Sequence, residues 1–87
     1  MNKKLITLEI GDIVKIKYNK IMREKPSWYL VVITELKSDD SWLNRGTILQ
    51  SNTEKHRLIS FFDFQIIKNF GIISFDDLLE KYPEYLI

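Results

Sequence analysis

Hydrophobic and polar residues alternate along residues 8–18, near the start of the chain. The apolar positions of one parity are Leu8, Ile10, Val14, Ile16 and Tyr18, and the polar positions of the other parity are Glu9, Lys15 and Lys17. This period of two predicts a half-buried β-strand, and Ile13 is the exception to it. The dipeptide Gly11-Asp12 predicts a turn or bulge that divides the segment into two short strand pieces.

Later apolar runs predict the remaining strands. Residues 28–36 (WYLVVITEL) are rich in apolar and β-branched side chains, which is typical of a central strand with both faces covered. Three shorter strands are predicted at residues 47–51, 57–60 and 65–68. Residues 37–46 have the composition of a loop, residues 52–56 that of a turn, and FFDF at 61–64 interrupts the alternation between the last two strands.

The C-terminal tail changes to a helical period. Ser74 and Asp77 have the spacing of a capping box, and Pro83 ends the pattern. The apolar positions spaced at i, i+3, i+4 and i+7 are Phe75, Leu78, Leu79 and Tyr82. A helix over about residues 74–82 is therefore expected to pack on a β body, because so short a helix is unstable alone. We predict a mainly β, single-domain chain over residues 1–87.

Composition excludes several kinds of chemistry. The 87 residues include no cysteine and one histidine, His56, which argues against a disulfide framework and a metal centre, and we expect no cofactor. No apolar run approaches the ~18 residues of a membrane span, so a cytoplasmic protein without membrane contact is predicted. Alanine is absent and isoleucine numbers 13, a bias expected from A+T-rich coding DNA such as that of some bacteriophages.

The net charge of +1 conceals an asymmetry along the chain. Residues 1–25 carry seven basic and three acidic side chains, whereas residues 63–87 carry two basic and five acidic ones. Basic side chains interleaved with aromatic ones suit nucleic acid, because cations contact phosphates and an indole stacks on a base. The candidate nucleic-acid-binding residues are Lys15, Lys17, Lys20, Arg23, Lys25, Trp42 and Arg45. The alternative is that the alternating lysines only keep an exposed strand in water.

The segment Leu8-x-Ile10-Gly11-Asp12-Ile13-Val14, the pair Trp28-Tyr29, Gly46 and the run FFDFQII together resemble the Src-homology-3-like small β-barrel. The resemblance implies a five-stranded barrel over about residues 5–68, with the short helix packed on it. Members that bind proline peptides have a long acidic loop and an aromatic motif before the Gly-Asp turn. Here ten residues precede Gly11, so the resemblance favours the shorter barrels of nucleic-acid and accessory proteins.

The run GDIVKIKYNKIMREKPSWYLVVI is also similar to the start of PemK/MazF-type toxin ribonucleases. That resemblance implies an RNA-cleaving enzyme, for which Arg23 and His56 are the only candidates as phosphate-stabilising cation and acid/base. The Arg-Pro pair of that family is replaced by Pro26-Ser27-Trp28, with Arg23 three residues earlier. This is the last of the hypotheses in rank.

Two functions of different classes therefore lead. The first is a non-enzymatic binding module, a regulatory or accessory factor that engages RNA or DNA through a basic and aromatic rim. The second is a protein-protein adaptor or an inhibitor of a host enzyme, with Trp42 and an exposed phenylalanine, Phe61 or Phe62, as anchors. A tryptophan in a polar loop either plugs into the core or marks a contact surface, and the sequence leaves both interpretations and the oligomeric state open.

Overall fold

The computed structural model describes residues 7–18, 27–51 and 58–86. The strands are β1 (Ile13–Tyr18), β2 (Ser27–Glu35), β3 (Asn44–Ser51), β4 (Leu58–Phe61) and β5 (Ile66–Gly71). A 3₁₀ turn at Asp63–Gln65 connects β4 to β5. The helix α1 spans Phe75–Lys81, and a second 3₁₀ turn follows at Pro83–Tyr85.

The strands form one antiparallel sheet in the order β4-β3-β2-β1-β5, with β2 at its centre. The mainly β class, the five strands and the short C-terminal helix confirm the sequence prediction. The sheet is compatible with a small barrel-like fold but is not closed. Strand β5 runs to Gly71, three residues beyond the predicted end of the β body.

The predicted Gly-Asp turn introduces β1. Gly11 has a φ of 99°, a conformation that favours glycine, and its N–H donates to the carbonyl of Ile33 at 2.8 Å. The buried carboxylate of Asp12 accepts hydrogen bonds from the Glu9 N–H at 2.9 Å and the Asn69 amide at 3.1 Å. Asp12 thus ties the turn to β5. The expectation that Ile10 shares the buried parity is wrong, because it lies in the turn and is exposed.

Each face of the sheet covers its own hydrophobic core. The first core consists of Val14, Ile16, Tyr29, Val31, Ile33 and Phe61. The second core lies on the opposite face and consists of Ile13, Leu30, Leu78 and Tyr85. This arrangement explains the exceptional Ile13, whose parity also contains Lys15 and Lys17: that face is the one on which the C-terminal segment packs.

The helix follows its predicted limits. The Ser74 hydroxyl caps its N-terminus by accepting a hydrogen bond from the Asp77 N–H at 3.1 Å. Leu78 is fully buried, and Phe75, Leu79 and Tyr82 are half-buried against the second core. The predicted apolar stripe therefore docks α1 on the sheet. No helix in the described ranges is long and apolar enough to cross a membrane.

Candidate functional site

Three exposed aromatic side chains lie together at an open groove of about 680 Å³. The exposed fractions are 79% for Trp42, 82% for Phe64 and 40% for Phe62. We call this surface the aromatic groove; its lining residues are Lys37, Ser38, Asp39, Trp42, Phe62, Asp63 and Phe64. Of the two interpretations of Trp42, the structure therefore supports the exposed one.

Local hydrogen bonds shape both walls of the aromatic groove. In the loop between β2 and β3, the backbones of Ser38 and Ser41 exchange two hydrogen bonds, at 2.7 and 3.2 Å, just before Trp42. On the other wall, the Phe62 N–H donates to the Gln65 side chain at 2.8 Å across the 3₁₀ turn. The rings of Phe62 and Phe64 stack there with centroids 5.1 Å apart and planes within 11° of parallel.

A polar network joins the two walls. Asn44 is fully buried; its amide donates to the Asp63 carboxylate at 2.7 Å, and its side-chain oxygen accepts from the Lys37 N–H at 2.9 Å. The Lys37 ammonium also forms an ion pair with Asp63. The hydrogen bond from Lys37 lowers the pKa of Asp63 below its ordinary value of 3.8, helped by the Asn44 hydrogen bond and the Lys37 charge, although burial acts in the opposite direction.

The three phenylalanines at the end of β4 differ in burial according to whether they lie within the strand or beyond it. Phe61 ends β4 with its ring fully buried in the first core. The prediction of Phe61 as a surface anchor is therefore wrong, because it is a core residue. Phe62 and Phe64 lie beyond the strand end and line the aromatic groove. An exposed phenylalanine near β4 could also have served to dock the terminal helix; it does not, because α1 packs on the second core.

The opposite face of the sheet carries two lysines among aromatic rings. The ammonium of Lys15 lies 4.9 Å from the ring centroid of Tyr85 and 5.6 Å from that of Trp28. The ammonium of Lys68 lies 4.5 Å from the ring of Tyr82 and 5.0 Å from that of Phe70. Lys15 is therefore half-buried rather than freely exposed, because its face of β1 borders the C-terminal segment.

The remaining predicted site residues divide between the described and undescribed parts of the chain. Lys17 is exposed on the same side of β1 as Lys15, opposite Trp28 of β2. Arg45 lies on β3 beside Glu35, with their charged groups 3.9 Å apart and both side chains well exposed. Lys20, Arg23, Lys25 and His56 lie outside the described residues. Within the described ranges, no group of three or more acidic, histidine or cysteine side chains could hold a metal ion.

Sequence reasoning missed Lys68 and Lys37 as members of these surfaces. The local alternation of residues predicts that Lys68 lies on a strand. It does not show that Lys68 faces Lys15 across the β1–β5 ladder, because the two residues are far apart in sequence. Lys37 looks like any other charged residue of a polar loop in the sequence, and only the folded structure shows that it pairs with Asp63.

No protein family, curated protein or solved structure gives a significant match to this chain.

Proposed function

We propose that the protein is a non-enzymatic interaction module that binds an apolar segment of a partner protein in the aromatic groove. The observation that carries the proposal is the joint exposure of Trp42, Phe62 and Phe64 along one groove. Exposed large apolar side chains that are contiguous mark contact surfaces, and tryptophan is enriched among the residues that dominate binding energy. This proposal corresponds to the hypothesis, drawn from the sequence, of a protein-protein adaptor or an inhibitor of a host enzyme.

The charge of the aromatic groove favours a protein over a nucleic acid as its occupant. Its lining contains one cation, Lys37, and two carboxylates, Asp39 and Asp63, so it sums to one negative charge. The cation is already paired with Asp63. A phosphate chain approaching Trp42 would meet net repulsion, whereas an apolar or basic peptide segment would not.

The strand order and the 3₁₀ turn between β4 and β5 support the assignment of the fold to the Src-homology-3-like small barrels. The aromatic groove lies between that turn and the β2–β3 loop. Pre-formed walls reduce the ordering cost of binding, because the Lys37–Asp63–Asn44 network already holds loop and turn together.

The test is a peptide-display selection on the immobilised intact chain, followed by titration of the selected peptides with purified protein. We expect the double variant Trp42→Ala/Phe64→Ala to lose about 2 kcal/mol or more of binding free energy, roughly 30-fold in Kd, as hot-spot residues do. Both side chains are mostly exposed, so thermal unfolding should remain close to that of the wild type.

The matched control is Leu58→Ala. Leu58 is 74% exposed but lies on β4 outside the aromatic groove, so its truncation removes exposed apolar surface at a different place. It should leave peptide affinity unchanged. Selection of no peptide, or of peptides that bind the double variant as well as the wild type, would contradict the proposal.

A further inference from the structure

The β1–β5 ladder places two like charges directly opposite each other. Lys15 and Lys68 are register partners across this antiparallel pair. Like charges at such positions destabilise a sheet, because their side chains leave the same face side by side. The ion pairs between described residues are Lys37–Asp63 and Arg45–Glu35, so neither of the opposed lysines has a carboxylate partner within that part of the chain.

Aromatic rings hold the two ammonium groups in place. Lys15 lies over Tyr85 and Trp28, and Lys68 lies over Tyr82 and Phe70. The rings themselves form a connected cluster, with centroids 5.0 Å apart for Phe70 and Tyr82 and 5.2 Å apart for Trp28 and Tyr85. A cation over a ring face is attracted but not neutralised, so the positive charge persists and its position is restricted.

Lys17 extends this positive surface along β1, two residues from Lys15 on the same side of the sheet. We call the combination of Lys15, Lys17 and Lys68 with the half-buried rings of Trp28, Phe70 and Tyr82 the lysine face. The acidic helix residues Asp77 and Glu80 line a different depression, together with Ile73 and Lys81. The lysine face therefore combines cations with aromatic carbon.

We propose that the lysine face binds single-stranded nucleic acid. An anion between Lys15 and Lys68 would replace their mutual repulsion with two attractions, and Lys17 would meet the next phosphate along an extended strand. The exposed parts of the flanking rings offer contacts to unpaired bases, which a duplex keeps within its own stack. This function is separate from the proposed peptide binding, because the two surfaces share no residue.

The test is fluorescence anisotropy with the intact protein and labelled oligothymidylate and oligouridylate of roughly 16 nucleotides, with a duplex of the same length for comparison. We expect both single strands to bind more tightly than the duplex, with an affinity that falls as salt rises. The double variant Lys15→Met/Lys68→Met keeps the apolar stems and removes the charges. It should bind at least tenfold more weakly, with a salt dependence reduced by about 1.4 in the log–log slope.

The control is Arg45→Gln/Lys81→Gln, which changes the net charge by the same two units at exposed positions that are not part of the lysine face: Arg45 lies beside Glu35, and Lys81 lines the separate depression with Asp77 and Glu80. It should reduce affinity by less than threefold. Circular dichroism and thermal unfolding check that each variant is folded. If the methionine variant does not fold, Lys17→Gln is measured instead, because Lys17 is exposed; it removes one charge and should reduce the log–log slope by about 0.7.

Three outcomes would overturn the proposal: no binding of any oligonucleotide by the wild type, equal losses in the methionine and control variants, or tighter binding of the duplex. A parallel titration uses phosphatidylcholine vesicles containing phosphatidylserine. Binding to these vesicles without binding to oligonucleotides would assign the lysine face to an anionic membrane surface and refute the nucleic-acid proposal. None of these results depends on whether the aromatic groove binds a peptide.

Discussion

Asn44 is a polar side chain without exposed surface, placed where β3 begins and where the two walls of the aromatic groove meet. Its amide donates to Asp63 on one wall and its oxygen accepts from the Lys37 N–H on the other. A buried amide costs free energy unless its groups are hydrogen-bonded, and here the bonds satisfy both ends. The loop that carries Trp42, two residues earlier, is therefore tied to the 3₁₀ turn through the polar contacts of Asn44.

The Asp63 carboxylate makes the stability of this region dependent on pH. Because its pKa is lowered in the folded state, its contribution is complete above the unfolded value of 3.8 and is lost as the pH falls through the folded value. We expect Asp63→Asn to lower the free energy of unfolding at about pH 7, and the difference from the wild type to shrink towards about pH 3. Urea denaturation at a series of pH values measures it.

The control for this pH effect is Asp39→Asn, an exposed carboxylate on the other wall of the aromatic groove. It should show little difference from the wild type across the same range. A pH-independent effect of Asp63→Asn would mean that the amide contacts of Asp63, and not its charge, stabilise the groove walls.

Among the properties of single residues, side-chain exposure was the hardest to predict from the sequence. Trp42 has only Leu43 as an apolar neighbour, so local pattern could not decide between core and surface. The three phenylalanines near β4 could not be sorted until the strand end was known to lie at Phe61. Lys15 was expected to face water, but its environment comes from Trp28 and Tyr85, which are distant in sequence.

Secondary-structure elements were far more predictable than individual contacts. The period-two pattern, the Gly11-Asp12 turn and the cap at Ser74 are local signals, and the strands and helix formed where these signals lie. Which strands become neighbours is decided by long-range pairing, and the opposition of Lys15 and Lys68 follows only from the β1–β5 register. The same limit applies to Gly46, whose role is visible only in the assembled sheet.

Gly46 permits close contact within the central strands. It pairs with Ile33 of β2 and Ile59 of β4, and a Cβ atom there would overlap the Val31 side chain and the Val32 carbonyl oxygen. We therefore expect Gly46→Ala to lower the free energy of unfolding by about 1–3 kcal/mol through overpacking. Chemical denaturation with the wild type as reference measures this change.

The control substitution is Gly71→Asn at the end of β5. Gly71 has a φ of 79°, and a Cβ atom added to it would meet no neighbouring atom within 4 Å, so its constraint is conformational rather than steric. Asparagine tolerates this backbone region, and the substitution should cost little. Equal losses in the two variants would contradict the steric explanation for Gly46.

At the scale of the whole molecule, one sheet separates two cores and supports two surfaces. Strands β1 and β2 contribute alternate residues to both cores, with Val14 and Val31 on one side and Ile13 and Leu30 on the other. The aromatic groove borders the end of β4, whereas the lysine face borders the C-terminal segment. Because the strands are shared, loss of packing on either face weakens the support of both surfaces.

This sharing predicts that the domain unfolds as a single cooperative unit. Leu78→Ala removes the fully buried helix residue of the second core and should cost about 2–5 kcal/mol. If the two cores are coupled, the denaturation midpoints from far-ultraviolet circular dichroism and from tryptophan fluorescence should fall together in this variant. Adding Trp42→Phe leaves Trp28 as the only tryptophan, so that the fluorescence reports on the second core, beside which Trp28 lies. In that background, a fluorescence midpoint below the dichroism midpoint would show instead that the helical face separates from an intact sheet.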